Sequence, residues 1–270
     1  TGYGMVFILF VIAIYYNIVI AWTLFYICQS FAFSDPAPWA RCDYANMSED
    51  CSQDTMEGRV IAAKYYYEHR ILALPINEEE GHSPDYKVNL NMVGSLGIAW
   101  ILIVLFLARG IRGTSRILYF TVIYPYVMMA VILAYSWDTK KNMLQSTESF
   151  FTVNTTLFTS HEMWTSAATH VIYSLGVAYG GIIALASYNK LHHNILRDTF
   201  LVFLIEGLTS LISAYFVYSL SGILMEEPGI PSPNLFITLP AVLSEMGLLG
   251  LWTLLFFVMI FTLGFDSQDL

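Results

Sequence analysis

Long apolar runs divided by short polar stretches set the pattern of this chain. Six runs come close to, or exceed, the roughly 20 residues that carry a helix across a bilayer: residues 3–30, 92–109, 117–136, 164–189, 199–224 and 248–268. They predict an all-α, polytopic membrane protein, with one transmembrane domain over 1–270 and a long polar loop over 31–91. Helix breakers fall inside two runs. Pro125 is expected to interrupt the third, and Gly176, Gly180 and Gly181 crowd the middle of the fourth, which membrane helices tolerate where neighbours or a cavity satisfy the freed backbone. "YYYEHRILAL", residues 65–74, has helical spacing and predicts a short helix outside the membrane. "SPNLFITLPAVLSEM", residues 232–246, is short and holds Pro240, and predicts a re-entrant or surface segment rather than a span.

Composition agrees with the pattern. Charged residues make up 12% of the chain, about half the usual share of a soluble domain. The net charge of −9 belongs mainly to one place, because eleven of the 21 acids lie between Asp35 and Asp85. That is a solvated loop, and no basic patch suits nucleic acid. Arg109, Arg112 and Arg116 in one short loop, and Lys190 and Arg197 in another, mark both as cytoplasmic; the 31–91 loop is then extracellular. Cys42 and Cys51 lie in that loop, where an oxidising setting favours a disulfide over two free thiols. Asn46 and Asn154 begin sequons on the same side and are candidates for glycosylation. Cys28 is expected to be an ordinary buried thiol. The chain starts at Thr1 and ends at Leu270 inside an apolar run, with no recognisable signal peptide, and is expected to be a fragment of a larger protein. No phosphate loop, metal cluster or nucleophile–base motif points to an enzyme.

Two features carry chemistry. From Thr199 to Met225 the one charged residue is Glu206, and an ionisable group inside a membrane span is costly and by default functional. In the fourth run, Ser174, Gly176 and Gly180 weaken the helix near its middle. This is either a discontinuous helix that offers carbonyls and half-helix ends to ions and polar solutes, or a small-residue face for close packing. Spacing alone leans towards packing.

The motifs resemble, in order and over nearly the whole chain, helices three to eight of the sodium- and chloride-dependent neurotransmitter symporters. "AIYYNIVIAWTLFY" resembles the family's third helix, "PWARC…C" its disulfide-bearing loop and "YFTVIYPYVMM" its fifth helix. "SLGVAYGG" with "ASYNKLHHN" resembles the sixth helix and the loop after it, "TSLISAYFVYSLSG" the seventh, and "FFVMIFTLGFDSQ" the eighth. The resemblance implies a partial LeuT-like inverted-repeat transporter fold, six transmembrane helices with a broken central helix, in the plasma membrane. It also implies that the first two and last four family helices, including the unwound first helix, lie outside this sequence, so that the chain as it stands is not expected to transport.

Carried over residue by residue, the resemblance puts Ile12, Tyr16, Tyr173, Ser174, Gly176 and Tyr179 at the substrate site. Tyr173 and Tyr179 replace phenylalanines and add two hydroxyls. Leu263, Asp266 and Ser267 match one sodium site. Ser174 and Glu206 fall at the other, where Glu206 replaces an asparagine; His170, Ser174 and Ser210 fall at the chloride site, where His170 replaces a glutamine. Three readings of Glu206 stand open: a fixed charge that makes chloride unnecessary, a pair with protonated His170, or an inert protonated relic. Sodium is thus the expected coupling ion, with chloride in doubt, and the expected function is sodium-driven uptake of a small amine or amino-acid-like solute by alternating access. The rival is a non-transporting member acting as a scaffold or regulator of other membrane proteins, which the altered Glu206 and His170 favour. Solute identity and oligomeric state lie beyond the sequence.

Overall fold

The computed structural model describes residues 2–31, 37–43, 51–52, 55–75, 88–108, 110–139, 147–148, 150–152, 155–177, 179–189, 192–221, 234–246 and 250–267. Among them there is no strand. In chain order come α1 (Gly2–Ser30), a 3-10 turn (Pro38–Ala40), and α2 (Met56–Tyr66) extended by a π turn (Tyr67–Ile71). Then follow α3 (Leu90–Leu107), α4 (Gly110–Thr139), a second 3-10 turn (Thr155–Thr159), α5 (His161–Ser174), α6 (Gly181–Ser187), α7 (Ile195–Ser221), α8 (Thr238–Glu245) and α9 (Leu251–Asp266). α1, the stretch Tyr119–Trp137 of α4 and nearly all of α7 are long and apolar enough to cross a membrane; α3 and α9 are shorter apolar helices.

The helix breakers behave differently from one another. Pro125 does not interrupt α4, which runs unbroken through it. Its neighbours are pinned on both sides: Tyr124 donates to the Leu255 carbonyl at 3.3 Å, and Tyr126 shares a hydrogen with Thr209 Oγ1 at 2.7 Å. The fourth run does break, between α5 and α6. The helix over 65–74 begins earlier than its spacing predicts, at Met56, because Thr55 caps it by accepting from Gly58 N at 3.2 Å. It ends in the π turn, whose last carbonyls are met by Asn89: the Asn89 amide donates to Arg70 O at 2.7 Å, while its Oδ1 accepts from Asn91 N and Met92 N at the start of α3.

Packing concentrates in two places. α1 lies along α3 and α9, and α9 also packs on α4. Where α1, α2, α8 and α9 converge, aromatic rings form the densest cluster. Tyr26 is fully buried, stacks on Phe257 at 4.3 Å and 10°, and donates its hydroxyl to Phe236 O at 2.6 Å. Trp39 and Tyr66 close round it. Tyr67 stacks on Phe236, and burial raises its phenol above the ordinary tyrosine range. α8 is no surface segment: Thr238 through Leu243 are all buried. Pro240 fits because it lies in the first turn, where helix N–H groups have no intrahelical partner; just before the helix the Asn234 side chain accepts from Phe236 N at 2.9 Å, and its backbone carbonyl accepts from Thr238 N at 2.9 Å.

The Cys42–Cys51 disulfide is present, with Cα atoms 5.7 Å apart. Beside it the chain passes so close to Gly58 that a Cβ there would lie 2.1 Å from Ser52 O, so that position requires glycine. Cys28, expected to be buried, is exposed on the outer face of α1, since the buried stripe of that helix runs through Ala21, Phe25 and Tyr26 instead. The outward faces of α3 and α7 are also apolar, with Ile101, Val104, Phe203 and Ile205 exposed. A bilayer accepts such surfaces, because each helix satisfies its own backbone.

Candidate functional site

The break between α5 and α6 is made by backbone chemistry that only glycine allows cheaply. α5 ends at Ser174; Gly176 follows with φ +61°. Gly176 N donates to Tyr173 O and Val177 N to Ile172 O, both at 3.1 Å, the paired bonds of a Schellman helix end. Gly180 then takes φ +87°, and its carbonyl accepts Ala184 N at 3.0 Å to restart the helix. The spacing lean towards simple packing is therefore overturned: these glycines separate two half-helices. A Cβ on Gly180 would also stand 3.4 Å from Met5 Sδ of α1, so the break sits directly against α1.

A cavity of about 570 Å³ opens there, within the usual size of a small-molecule site. One wall is a single stripe of α1, Leu9, Ile12, Ala13 and Tyr16, at the i, i+3, i+4, i+7 spacing of one helix face. The facing wall is the break itself, including His170, Tyr173, Ser174, Gly176 and Tyr179, and Ser267 closes one end. All six positions carried over to the substrate site thus line one cavity. Tyr173 and Tyr179 meet edge to face at 6.0 Å and 83°. The Tyr16 hydroxyl reaches towards α9, 3.8 Å from where a Cβ on Gly264 would sit.

The sequence reading missed Tyr15. Its hydroxyl pairs with that of Tyr173 at 2.6 Å, tying α1 to the end of α5. The doubled tyrosine of "YYN" was the available signal, and only the added hydroxyl at Tyr173 gives Tyr15 a partner.

Behind Ser174, on α7, lies Glu206, half-buried. The Ser174 hydroxyl donates to Glu206 Oε1, and Ser210 Oγ, one turn along α7, donates to the same oxygen at 3.4 Å. No hydrogen bond or ion pair joins Glu206 to His170 among the described residues, and His170 itself is exposed. In the last turn of α9 the Leu263 carbonyl accepts the Ser267 hydroxyl at 3.0 Å. Leu263 and Ser267 are thus neighbours, with that carbonyl engaged inside the helix rather than freed. The Asp266 side chain, Asn46 and Asn154 lie outside the described residues. The oxygens present — the hydroxyls of Ser174, Ser210 and Ser267, the Glu206 carboxylate and the Leu263 carbonyl — are hard donors suited to an alkali cation.

An all-helical bundle with apolar outer faces and a solute-sized cavity at a broken central helix defines a class: a multi-pass membrane transporter fold of the partial inverted-repeat type. The chain belongs to the sodium:neurotransmitter symporter family, whose sequence profile matches residues 1–269; members of that family are multi-pass plasma-membrane proteins. It is 29% identical over 284 residues to the mouse (Mus musculus) sodium- and chloride-dependent GABA transporter 2, covering 99% of this chain and 46% of that protein. It is 26% identical over 287 residues to the rat (Rattus norvegicus) sodium- and chloride-dependent taurine transporter, covering 99% and 45%. The chain therefore spans a little under half the length of these relatives.

Proposed function

We propose that this chain forms the solute-binding half of a sodium-coupled secondary transporter for a small amine or amino-acid-like solute. The observation that carries the reading is the cavity at the helix break, where Tyr16, Tyr173, Ser174, Gly176 and Tyr179 face one another. In this mechanism no covalent chemistry occurs. Sodium, as cargo, enters down its gradient and binds hard oxygens near Ser174 and Ser267. The solute lies between the α1 stripe and the break, and the α5–α6 unit, held by few contacts, moves against α1 to expose the cavity to alternate sides. GABA and taurine, named for the two relatives, are the first solutes to try.

Uptake of radiolabelled GABA, taurine and a panel of amino acids and amines tests this in cells expressing the chain within its complete reading frame. Saturable uptake that disappears when sodium is replaced by N-methylglucamine is expected, and Tyr16→Phe should weaken it roughly tenfold, the worth of one directed hydrogen bond in a shielded site. The altered Glu206 and His170 support a second reading, that of a scaffold. Surface-expressed protein that moves no solute and no current, yet changes the abundance of another membrane protein, would establish that reading instead.

A further inference from the structure

Between α4 and α5 the chain reaches round α7. Thr147 and Tyr215 share a hydrogen between their hydroxyls at 3.0 Å. Phe150, partly buried, meets Tyr215 at 5.6 Å and 73°, and Tyr218 at 5.3 Å and 57°, while Phe151 packs on Phe150 and Tyr215. These two tyrosines are not on the face that α7 turns to the rest of the bundle. That face carries Thr209, bonded to Tyr126 of α4 at 2.7 Å, and Phe216, stacked on Phe256 of α9. At about 100° per residue, Tyr215 and Tyr218 lie roughly 150° away from it round the helix. A third side, with Glu206 and Ser210, receives the end of α5.

The other end of α5 has little else to hold it. The helix buries no residue, and the side-chain bonds at its start are local: Trp164 donates to Phe158 O at 2.9 Å and Thr165 to His161 O at 2.8 Å. Its last turn is tied to α1 and α7 by the Tyr15–Tyr173 and Ser174–Glu206 contacts. Its first turn follows Thr147, Phe150 and Phe151 in the chain by way of the short turn Thr155–Thr159, so their grip on α7 restrains that end. We propose that Thr147, Phe150 and Phe151 form a strap, on the side that the charge bias makes extracellular, which holds the outer end of α5 to α7 and sets how readily the cavity opens outward. The proposal rests on the transport reading above, whose cavity it regulates. The strap is built to release. One hydroxyl pair and three ring contacts hold it to α7, and Phe151 is 67% exposed. An aromatic pair shifts an equilibrium by only about two- to tenfold, and segments with few buried contacts open at low cost. Once the rings leave Tyr215 and Tyr218, the outer end of α5 swings from α1 about its tied last turn, and the mouth of the cavity widens.

The test expresses the complete reading frame in cells and reads access to the cavity directly. Ile12, on the cavity wall, is changed to give the reporter Ile12→Cys, and the rate at which a membrane-impermeant thiol reagent modifies it is measured against the unsubstituted protein. Uptake and the unfolding midpoint of the purified protein are measured alongside. Adding Phe150→Ala should speed modification roughly tenfold, since one ring serves two tyrosines. Adding Tyr215→Phe, which keeps the ring and removes the bond to Thr147, should speed it about threefold. The midpoint should move by less than about 4 °C in both. A rate in Phe150→Ala that is slower, or unchanged within about twofold, overturns the proposal. So does faster modification with a midpoint lowered by more than that, the mark of a protein loosened throughout. Where Phe150→Ala does not reach the cell surface, Tyr215→Phe decides by the same criteria. Faster modification without uptake of any solute by any version leaves the strap standing and removes the transport reading instead.

Discussion

Two tyrosines hold different regions of the structure against α1, and their hydroxyls are placed in opposite ways. Tyr26, towards the end of α1, is enclosed by Trp39, Tyr66, Phe236 and Phe257 and gives its hydrogen to a buried carbonyl. Tyr173, at the end of α5, is 43% exposed and shares a hydrogen with Tyr15, which is 44% exposed. Around Tyr26 the chain is held by a disulfide, side-chain caps and interlocked rings. Around Tyr173 it is held by two hydroxyl contacts, one to α1 and one from Ser174 to Glu206, and α5 has no buried residue at all. Regions with few buried contacts are those that open at low cost. The contrast separates a tightly packed frame from an element held against it by few buried contacts, the arrangement on which the proposed alternating access would draw.

The most forceful way to break that comparison is to remove a ring from the frame. Phe257 is fully buried and contacts Tyr26, Phe236 and Phe256. Phe257→Ala should cost about 3–5 kcal/mol, read as a lowered unfolding midpoint of the purified protein. A cost below about 1 kcal/mol would mean the aromatic cluster is not the frame. A gentler cut leaves the packing in place: Tyr26→Phe strands the Phe236 carbonyl in a dry site, and should cost about 1–3 kcal/mol in the same measurement.

The frame and the site were not equally legible. The apolar runs located the long helices, because a bilayer sets their length and composition. Single breakers were ambiguous, since proline in α4 and glycine in the fourth run carry the same warning. Pro125 is absorbed because Tyr124 and Tyr126 anchor both sides of it to other helices, whereas Gly176 takes a left-handed φ that a continued helix cannot accommodate. No pattern in "SPNLFITLPAVLSEM" foretold that α8 would be enclosed by α2, α7 and α9, because that burial is built from contacts distant in sequence. On α1 the resemblance supplied Ile12 and Tyr16, whereas Leu9 and Ala13 stayed hidden because that helix is apolar on every face and shows no stripe in its sequence. Tyr15 stayed hidden too, because its role depends on where Tyr173 comes to lie. Glu206 announced itself as an anomaly and the resemblance set Ser174 and Ser210 at the same ion sites, but that both hydroxyls turn onto one Glu206 oxygen is a contact between α5 and α7 that no sequence pattern carries.

The smallest expected effect sharpens the comparison most. Tyr173→Phe is the same chemical change as Tyr26→Phe, made at the movable end, and it restores the residue type that the resemblance assigns to this position. Because both hydroxyls of the Tyr15–Tyr173 pair are close to half exposed, each regains other partners when the bond is lost, and the unfolding free energy should change by less than about 0.5 kcal/mol. The bond nevertheless spans the gap between α1 and the break, so its loss biases the position of α5 even where it leaves stability untouched. A neutral hydrogen bond of about 1 kcal/mol shifts a two-state equilibrium roughly fivefold. The maximal uptake rate should therefore change severalfold while the unfolding midpoint stays in place. A Tyr173→Phe protein that loses as much stability as Tyr26→Phe would place the break inside the frame, and the distinction between the two regions would fall.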